Sequence, residues 1–277
     1  SAGFYYKTFM GLPPFEWGRG TGMWMRYEKI IRKAAGMGQA SREPDPDCYE
    51  HAHSYCDLLV VGSGPAGRAA ALAPALTGCD VVLVEQDSVL GGDSLNRPDH
   101  ATALHDELRQ LESAGVRILT STTAFGLYDG GVAGLLERVT DHLADPPSWL
   151  PRQRFWTLRA RSTILATGAL ERHIAFGNND RPGVMTANAG RAYLNRFAVQ
   201  PGENIVVATN NDSAYASASD LASSGARVVV LDSRSSVPGT LQSLCEAGDI
   251  QLRLDSAPAK VLGGKAVAGL QLAQRQG

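Results

Sequence analysis

Apolar and polar positions repeat with one rhythm in two parts of the chain. Residues 57–61, "DLLVV", form a short apolar run closed by glycine, which predicts a strand buried on both faces. Small residues over 65–77 predict a helix, and residues 80–85, "DVVLVE", predict a second buried strand. The same order returns in "ENIVVATNNDSAYASASDLASSGARVVVLDSR", whose first strand opens at residue 204. The chain therefore carries a diverged internal repeat of two βαβ units. Between them, "DHATALHDELRQLESAG" predicts a helix capped by Asp99 and Gly115, and "VRILTSTTAFGLYDGG" predicts two strands. Residues 132–161 read as antiparallel strands around a loop at "DPPSW", and "RSTILATGALE" as a buried parallel strand ending at Thr167-Gly168. From residue 238 a helix and three short strands follow, with an antiparallel hairpin in "VLGGKAVAGLQLAQRQG".

The N-terminal region breaks this rhythm. Residues 1–53 are expected to be an arm and connector: "MRYEKIIRKAAGMG" is a helix ending at Gly36 or Gly38, and "SREPDPDCYEHAH" is an extended, Pro-rich link carrying solvated His51 and His53. Phe4, Tyr5, Tyr6, Phe9, Phe15, Trp17 and Trp24 require a surface to cover them. Residues 54–185 are expected to form a first dinucleotide-binding domain, and 186–277 a second, degenerate one.

Composition narrows the function classes. The 277 residues carry a net charge of -2 and 44% apolar residues, which fits a globular domain and gives no reason to expect nucleic acid or an anionic membrane. No apolar stretch approaches the roughly 20 residues of a membrane span, and no signal-peptide pattern opens the chain, so a cytoplasmic location is expected. Cys48, Cys56, Cys79 and Cys245 form no CxxC, which argues against a redox dithiol or a zinc site.

The candidate chemistry lies in Gly62-Ser63-Gly64-Pro65-Ala66-Gly67. Gly62 permits the turn out of the strand, Gly64 lets the backbone approach a pyrophosphate, and Gly67 lets the helix pack on the sheet. The helix start offers free N–H groups and the positive end of its dipole. Glu85, at the end of the next strand, has the spacing of a carboxylate that binds ribose hydroxyls. A carboxylate there repels a 2′-phosphate, which disfavours NADP and leaves NAD and FAD. A second loop, "EQDSVLGGDSLN", adds Gly92, Asp93 and Ser94 near the same ligand edge, and "TILATG" brings Thr167 and Gly168 past the nucleotide. In the second unit the corresponding loop, "ATNNDS", has no glycine, and Asp212 is expected to repel phosphates, so no nicotinamide site is expected there. Asn211 or Asp212 can cap the helix that follows. No catalytic acid–base pair stands out, and among the histidines only His173 falls near the expected socket.

These residues carry a resemblance. "YYKTFM", "YEKIIRKAAGMG", "EPDPDCYEHAHSYCDLLVVGSGPAGRAAA", "LGGD", "TILATGALER", "NDRPGVMTANAGRAYLNRF" and "NNDSAYASASDLA" occur in an order similar to that of the alpha subunits of heterotetrameric sarcosine oxidases. Opine oxidase and hydrogen cyanide synthase subunits share parts of the pattern. The resemblance implies an α/β, Rossmann-type fold like that of flavoproteins with two dinucleotide-binding domains, the second βαβ unit interleaved with the first. It also implies that this is the central region of a longer chain, truncated C-terminally before the return that closes over the dinucleotide. It implies NAD in the first socket, held by Gly62, Gly64, Pro65, Ala66, Gly67, Glu85, Gln86, Gly92, Asp93, Ser94 and the strand at Thr123 and Ala124. Flavins are expected on a beta subunit where sarcosine is oxidatively demethylated, with smaller gamma and delta subunits alongside, and the isolated chain is expected to be inactive. Two other readings stay open: an FAD-binding subunit of another amine- or opine-oxidising complex, and a scaffold with an empty socket. Arg68 departs from the family pattern, in which a small residue or Leu is more usual.

Overall fold

The computed structural model describes the backbone of residues 20–36 and 42–274, and the side chains of 27–36 and 42–273. The chain divides into two compact units, Ser1–Asp47 and Cys48–Gly277. In the first, helix α1 spans Gly20–Ala34 and ends at Gly36, whose φ of +68° turns the chain out of the helix. Glu28 and Arg32 pair one turn apart on it. Trp24 lies on α1; Phe4, Tyr5, Tyr6, Phe9, Phe15, Trp17 and Gly38 fall outside the described residues.

The second unit opens with β1 (Tyr49–Val61), followed by α2 (Pro65–Ala75) and β2 (Val81–Val84). Helix α3 (Ala101–Ser113) leads to β3 (Arg117–Leu119), β4 (Thr122–Tyr128), β5 (Val132–Arg138) and β6 (Gln153–Leu165). These strands make one mixed sheet in the order β3-β2-β1-β6-β5-β4, parallel across β3, β2, β1 and β6 and antiparallel across β6, β5 and β4. Alternate residues of β1 and β2 enter different cores. Val60, Val81 and Leu83 pack with Ala71, Ala75 and Leu111 under the helices, while Leu59, Val82 and Val84 pack with Leu135 and Leu158 on the opposite face. Burial on both faces is why the two strands read as unbroken apolar runs.

Three local expectations change. The first strand begins at Tyr49, not Asp57, because "YEHAHSYC" alternates and pairs along β6 from Tyr49↔Gln153 onward. His51 and His53 therefore lie on the strand, exposed, with the His51 ring 5.4 Å from that of Phe155. The end of β6 is parallel to β1 but not buried: β5 covers β6 only as far as Val132↔Arg159, which leaves Leu165 62% exposed on an open edge. Asp99 does not cap α3; it lies in a 3₁₀ turn, and the helix begins beyond it without a side-chain cap.

The repeat follows. Helix α4 (Ala187–Phe197) leads into β7 (Asn204–Thr209), α5 (Ser213–Ser223) and β8 (Arg227–Asp232). Helix α6 (Gly239–Ala247), β9 (Gln251–Arg253), β10 (Ser256–Leu262) and β11 (Gly269–Gln274) complete the unit. β7, β8 and β9 form a parallel sheet, and β10 and β11 an antiparallel hairpin. Helix α4 was not foreseen from the sequence. Thr186 caps it by accepting from the Ala189 N–H, and Arg191 ties it to Asp220 of α5 at 2.6 Å. Among the described residues no helix is long and apolar enough to cross a membrane.

Candidate dinucleotide site

The first glycine loop is shaped by close backbone approach. A Cβ on Gly62, whose φ is +101°, would lie 2.3 Å from the Ala166 carbonyl oxygen; one on Gly67 would lie 1.8 Å from the oxygen of Gly62. Neither position admits a side chain. Gly64 differs: a Cβ there would meet nothing within 4 Å, so its exposed side is open to a ligand. Gly64 is also the N-cap of α2, without a side-chain cap, and Pro65 follows as the first helical residue. The N–H groups of Ala66 and Gly67 have no intrahelical acceptor in this geometry and point to the socket together with the helix dipole.

Glu85 closes the other end. It is 8% exposed. Its Oε2 accepts from the Ser63 N–H at 2.9 Å and the Ser63 hydroxyl at 2.6 Å, and its Oε1 from the Asp87 N–H at 3.0 Å. Burial alone would raise its pKa, but the Ser63 hydroxyl and the N–H groups of Asp87, Ser63 and Gln86 outweigh it and hold the carboxyl below the usual range. The Ser63 hydroxyl also accepts from the Gly91 N–H at 3.0 Å, which joins the second loop to the first. Gly92, at φ +56°, comes so close that a Cβ there would lie 2.9 Å from Gly64 Cα. Asp93 and Ser94 follow in the 3₁₀ turn Gly92–Asn96.

The remaining sequence-derived residues gather around this frame. The Ala166 N–H bonds the Val61 carbonyl at 2.8 Å, setting Thr167 and Gly168 beside Gly62. The Thr122 N–H donates to the Glu85 carbonyl at 2.8 Å and Arg138 to the Gln86 carbonyl at 2.7 Å, so Thr123 and Ala124 leave from the same strand ends. His173 instead lines a separate cavity of about 1310 Å³, with residues of β7 and the β10–β11 hairpin. Cys56 and Cys245 are buried, and burial pushes the Cys56 thiol up to about 11. Among the described residues no group of three His, Cys, Asp or Glu could hold a metal ion.

Counted from the first helical residue, the second unit has Asn210 for Gly62, Asn211 for Ser63, Asp212 for Gly64 and Tyr215 for Gly67, and Asp232 ends its second strand as Glu85 follows β2. Side chains stand where the first unit has glycines, and several of them bond within the unit. Asn211, one residue before the N-cap Asp212, accepts on Oδ1 from the Ser213 N–H at 3.0 Å, and the Asp212 side chain makes no cap bond. The Tyr215 hydroxyl donates to Asp232 at 2.9 Å. Arg234 donates to Asp232 from Nε at 3.0 Å and Nη2 at 2.7 Å, and from Nη1 to Asp212 at 2.7 Å. Asp232 is fully buried; burial pushes its carboxyl up, and the Arg234 hydrogen bonds override this and hold it low. Asp212 thus differs from the expectation of bare repulsion, because Arg234 neutralises it. The sequence reading missed Tyr215 and Arg234; an Arg two positions beyond the acidic strand end was the available signal.

A family model described as FAD dependent oxidoreductase matches residues 57–129. The sarcosine oxidase alpha subunit from Rhizobium meliloti (strain 1021) is 43% identical over 98% of this chain, which spans 27% of that relative's length. An opine oxidase subunit from Agrobacterium tumefaciens (strain Ach5) is 28% identical over 66% of the chain and 38% of its own length. Among solved structures, the thioredoxin reductase of T. acidophilum superposes with a TM-score of 0.61 at 14% identity, over 80% of this chain and 71% of that one, a likeness of fold.

Proposed function

From a chain homologous over nearly its whole length to a region of the sarcosine oxidase alpha subunit, we propose a dinucleotide-holding, largely non-catalytic core of an amine-oxidising complex. The dinucleotide is NAD, bound with its pyrophosphate at the start of α2 and its adenosine ribose on Glu85. A flavin-carrying beta subunit, with smaller gamma and delta subunits, performs the oxidative demethylation of sarcosine. The observation that carries this reading is the asymmetry of the two units. The first keeps glycine at the turn, the helix cap and the third helical residue, with open space at Gly64; the second has Asn210, Asp212 and Tyr215 there, and Arg234 occupies both Asp212 and Asp232. On this reading the second unit, lacking the glycine loop, does not receive NAD(P)H to pass a hydride to a flavin, as the second unit of a reductase with two working sockets would.

Within the first socket, this chain's residues bind and orient. Gly64, Ala66 and Gly67 present N–H groups or open backbone, Glu85 accepts from ribose hydroxyls, and Gly92, Asp93 and Ser94 bound the phosphate side. The match to an FAD-dependent oxidoreductase model over residues 57–129 favours FAD as the second reading. Denaturing the purified chain and identifying the released nucleotide separates the two: NAD in a colourless sample supports the proposal, and FAD in a yellow one replaces it. Oxygen uptake with sarcosine, measured with and without the flavin-carrying partner, tests the division of labour. Turnover by this chain alone would end it.

A further inference from the structure

Arg68, the residue that departs from the family pattern, is 4% exposed and its guanidinium spans both loops of the first socket. Nη1 donates to the Ser63 carbonyl at 2.9 Å and the Gly91 carbonyl at 3.0 Å, and Nη2 to the Ser94 hydroxyl at 3.1 Å. Nε donates at 2.6 Å to Glu107, whose side chain is 46% exposed on α3. One planar group is thus fixed on four acceptors belonging to the first loop, the second loop and a neighbouring helix. Ser63 completes the circuit, since its hydroxyl bonds both Glu85 and the Gly91 N–H.

We propose that Arg68 is a positioning residue for the pyrophosphate: it latches the Gly91–Ser94 loop onto the Gly62–Gly67 loop, so that N–H groups of both converge on one diphosphate. Burying a guanidinium is costly unless its donors are matched, and here they are matched by the two loops whose separation sets the socket's width. The N–H groups of Ser63 and Gly91 are bonded within the same frame, to Glu85 and to the Ser63 hydroxyl, so the latch fixes both loops through their backbones. A lysine cannot replace this arrangement, because one ammonium cannot reach Ser63, Gly91 and Ser94 together.

The inference rests on the reading of the first socket as a dinucleotide site, but not on which dinucleotide, since NAD, FAD and ADP-ribose share the ADP diphosphate. The test is calorimetric titration of the purified chain with NAD, FAD, ADP-ribose and adenosine, for wild type, Arg68→Met, Arg68→Lys and Ser94→Ala. Arg68→Met should weaken ADP-ribose by about 30-fold or more, with adenosine changed by less than about twofold, and Arg68→Lys should recover only a small part of the loss. Ser94→Ala, which removes one latch contact, should weaken ADP-ribose by about threefold to tenfold, and it carries the test if Arg68→Met fails to fold. Equal losses for ADP-ribose and adenosine would reduce Arg68 to a structural residue and overturn the proposal, as would unchanged affinities or full rescue by lysine. Binding of FAD in place of NAD by the wild type would overturn the cofactor reading and leave the latch standing. Failure of the wild type to bind any ADP-bearing ligand would remove both.

Discussion

The two βαβ units start from the same backbone plan and differ in what holds the acidic strand end: Ser63 and backbone N–H groups in the first, Arg234 in the second. In the first, Gly64 caps α2 with no side chain, and Glu85 is ionised at the end of β2. In the second, Asp212 is the N-cap of α5, Tyr215 stands where Gly67 allows tight packing, and Arg234 holds Asp232 and Asp212 together. In the second unit side chains occupy the glycine positions of the first, and its two carboxylates are paired with Arg234. The fold survives because the replaced contacts are satisfied, not left open.

Changes at equivalent positions should have unlike effects if this comparison holds. The largest belongs to the second unit. Tyr215 is 1% exposed in the core with Val207, Leu221 and Val230, so Tyr215→Ala should cost about 4 kcal/mol in urea unfolding, with dinucleotide affinity unchanged in the folded fraction. At the matching place in the first unit the rule reverses. Gly67→Ala puts a methyl against the Gly62 carbonyl and should destabilise by about 3 kcal/mol while abolishing dinucleotide binding; retained binding would refute the close-packed loop.

Smaller effects sharpen the contrast. Glu85→Ala should weaken the dinucleotide by about 1–3 kcal/mol, the scale of hydrogen bonds to a charged acceptor, and unchanged affinity would remove Glu85 from the ribose. The acid limb of stability should also carry both units. Glu85 and Asp232 are held below their ordinary values of 4.5 and 3.8, so their stabilisation is full above those values and is lost as pH falls through the lower folded ones. Unfolding followed from neutral to acidic pH should show Glu85→Gln with a flatter acid limb than wild type; parallel curves would mean that Glu85 is not depressed.

Elements set by local pattern were readable in the sequence, and those set by partners were not. The strands around Leu59 and Val82, the glycine loop and Glu85 are legible because burial on both faces and steric exclusion at Gly62 and Gly67 leave few residue choices. The first half of β1 was hidden, since its alternating polar pattern makes sense only once β6 lies beside it. Helix α4 was hidden too, as Arg191 and Asn195 face Asp220 of α5 from a distance along the chain that no local period reports. The partners of Arg68 and Arg234 were not legible in sequence, because an arginine's role depends on which acceptors the fold brings to its five donors.

The claim at the centre of this account is one live socket and one that is internally filled. The direct test is the number of nucleotides bound per chain, measured by equilibrium titration after stripping the protein, for wild type, Gly64→Val and Asp212→Asn. Gly64→Val fills the open side of the first loop, where a Cβ has free space, so folding should persist while binding is lost. The account predicts one dinucleotide per chain in wild type, none in Gly64→Val, and one in Asp212→Asn. Two dinucleotides per chain in wild type, or one that survives Gly64→Val, would contradict it.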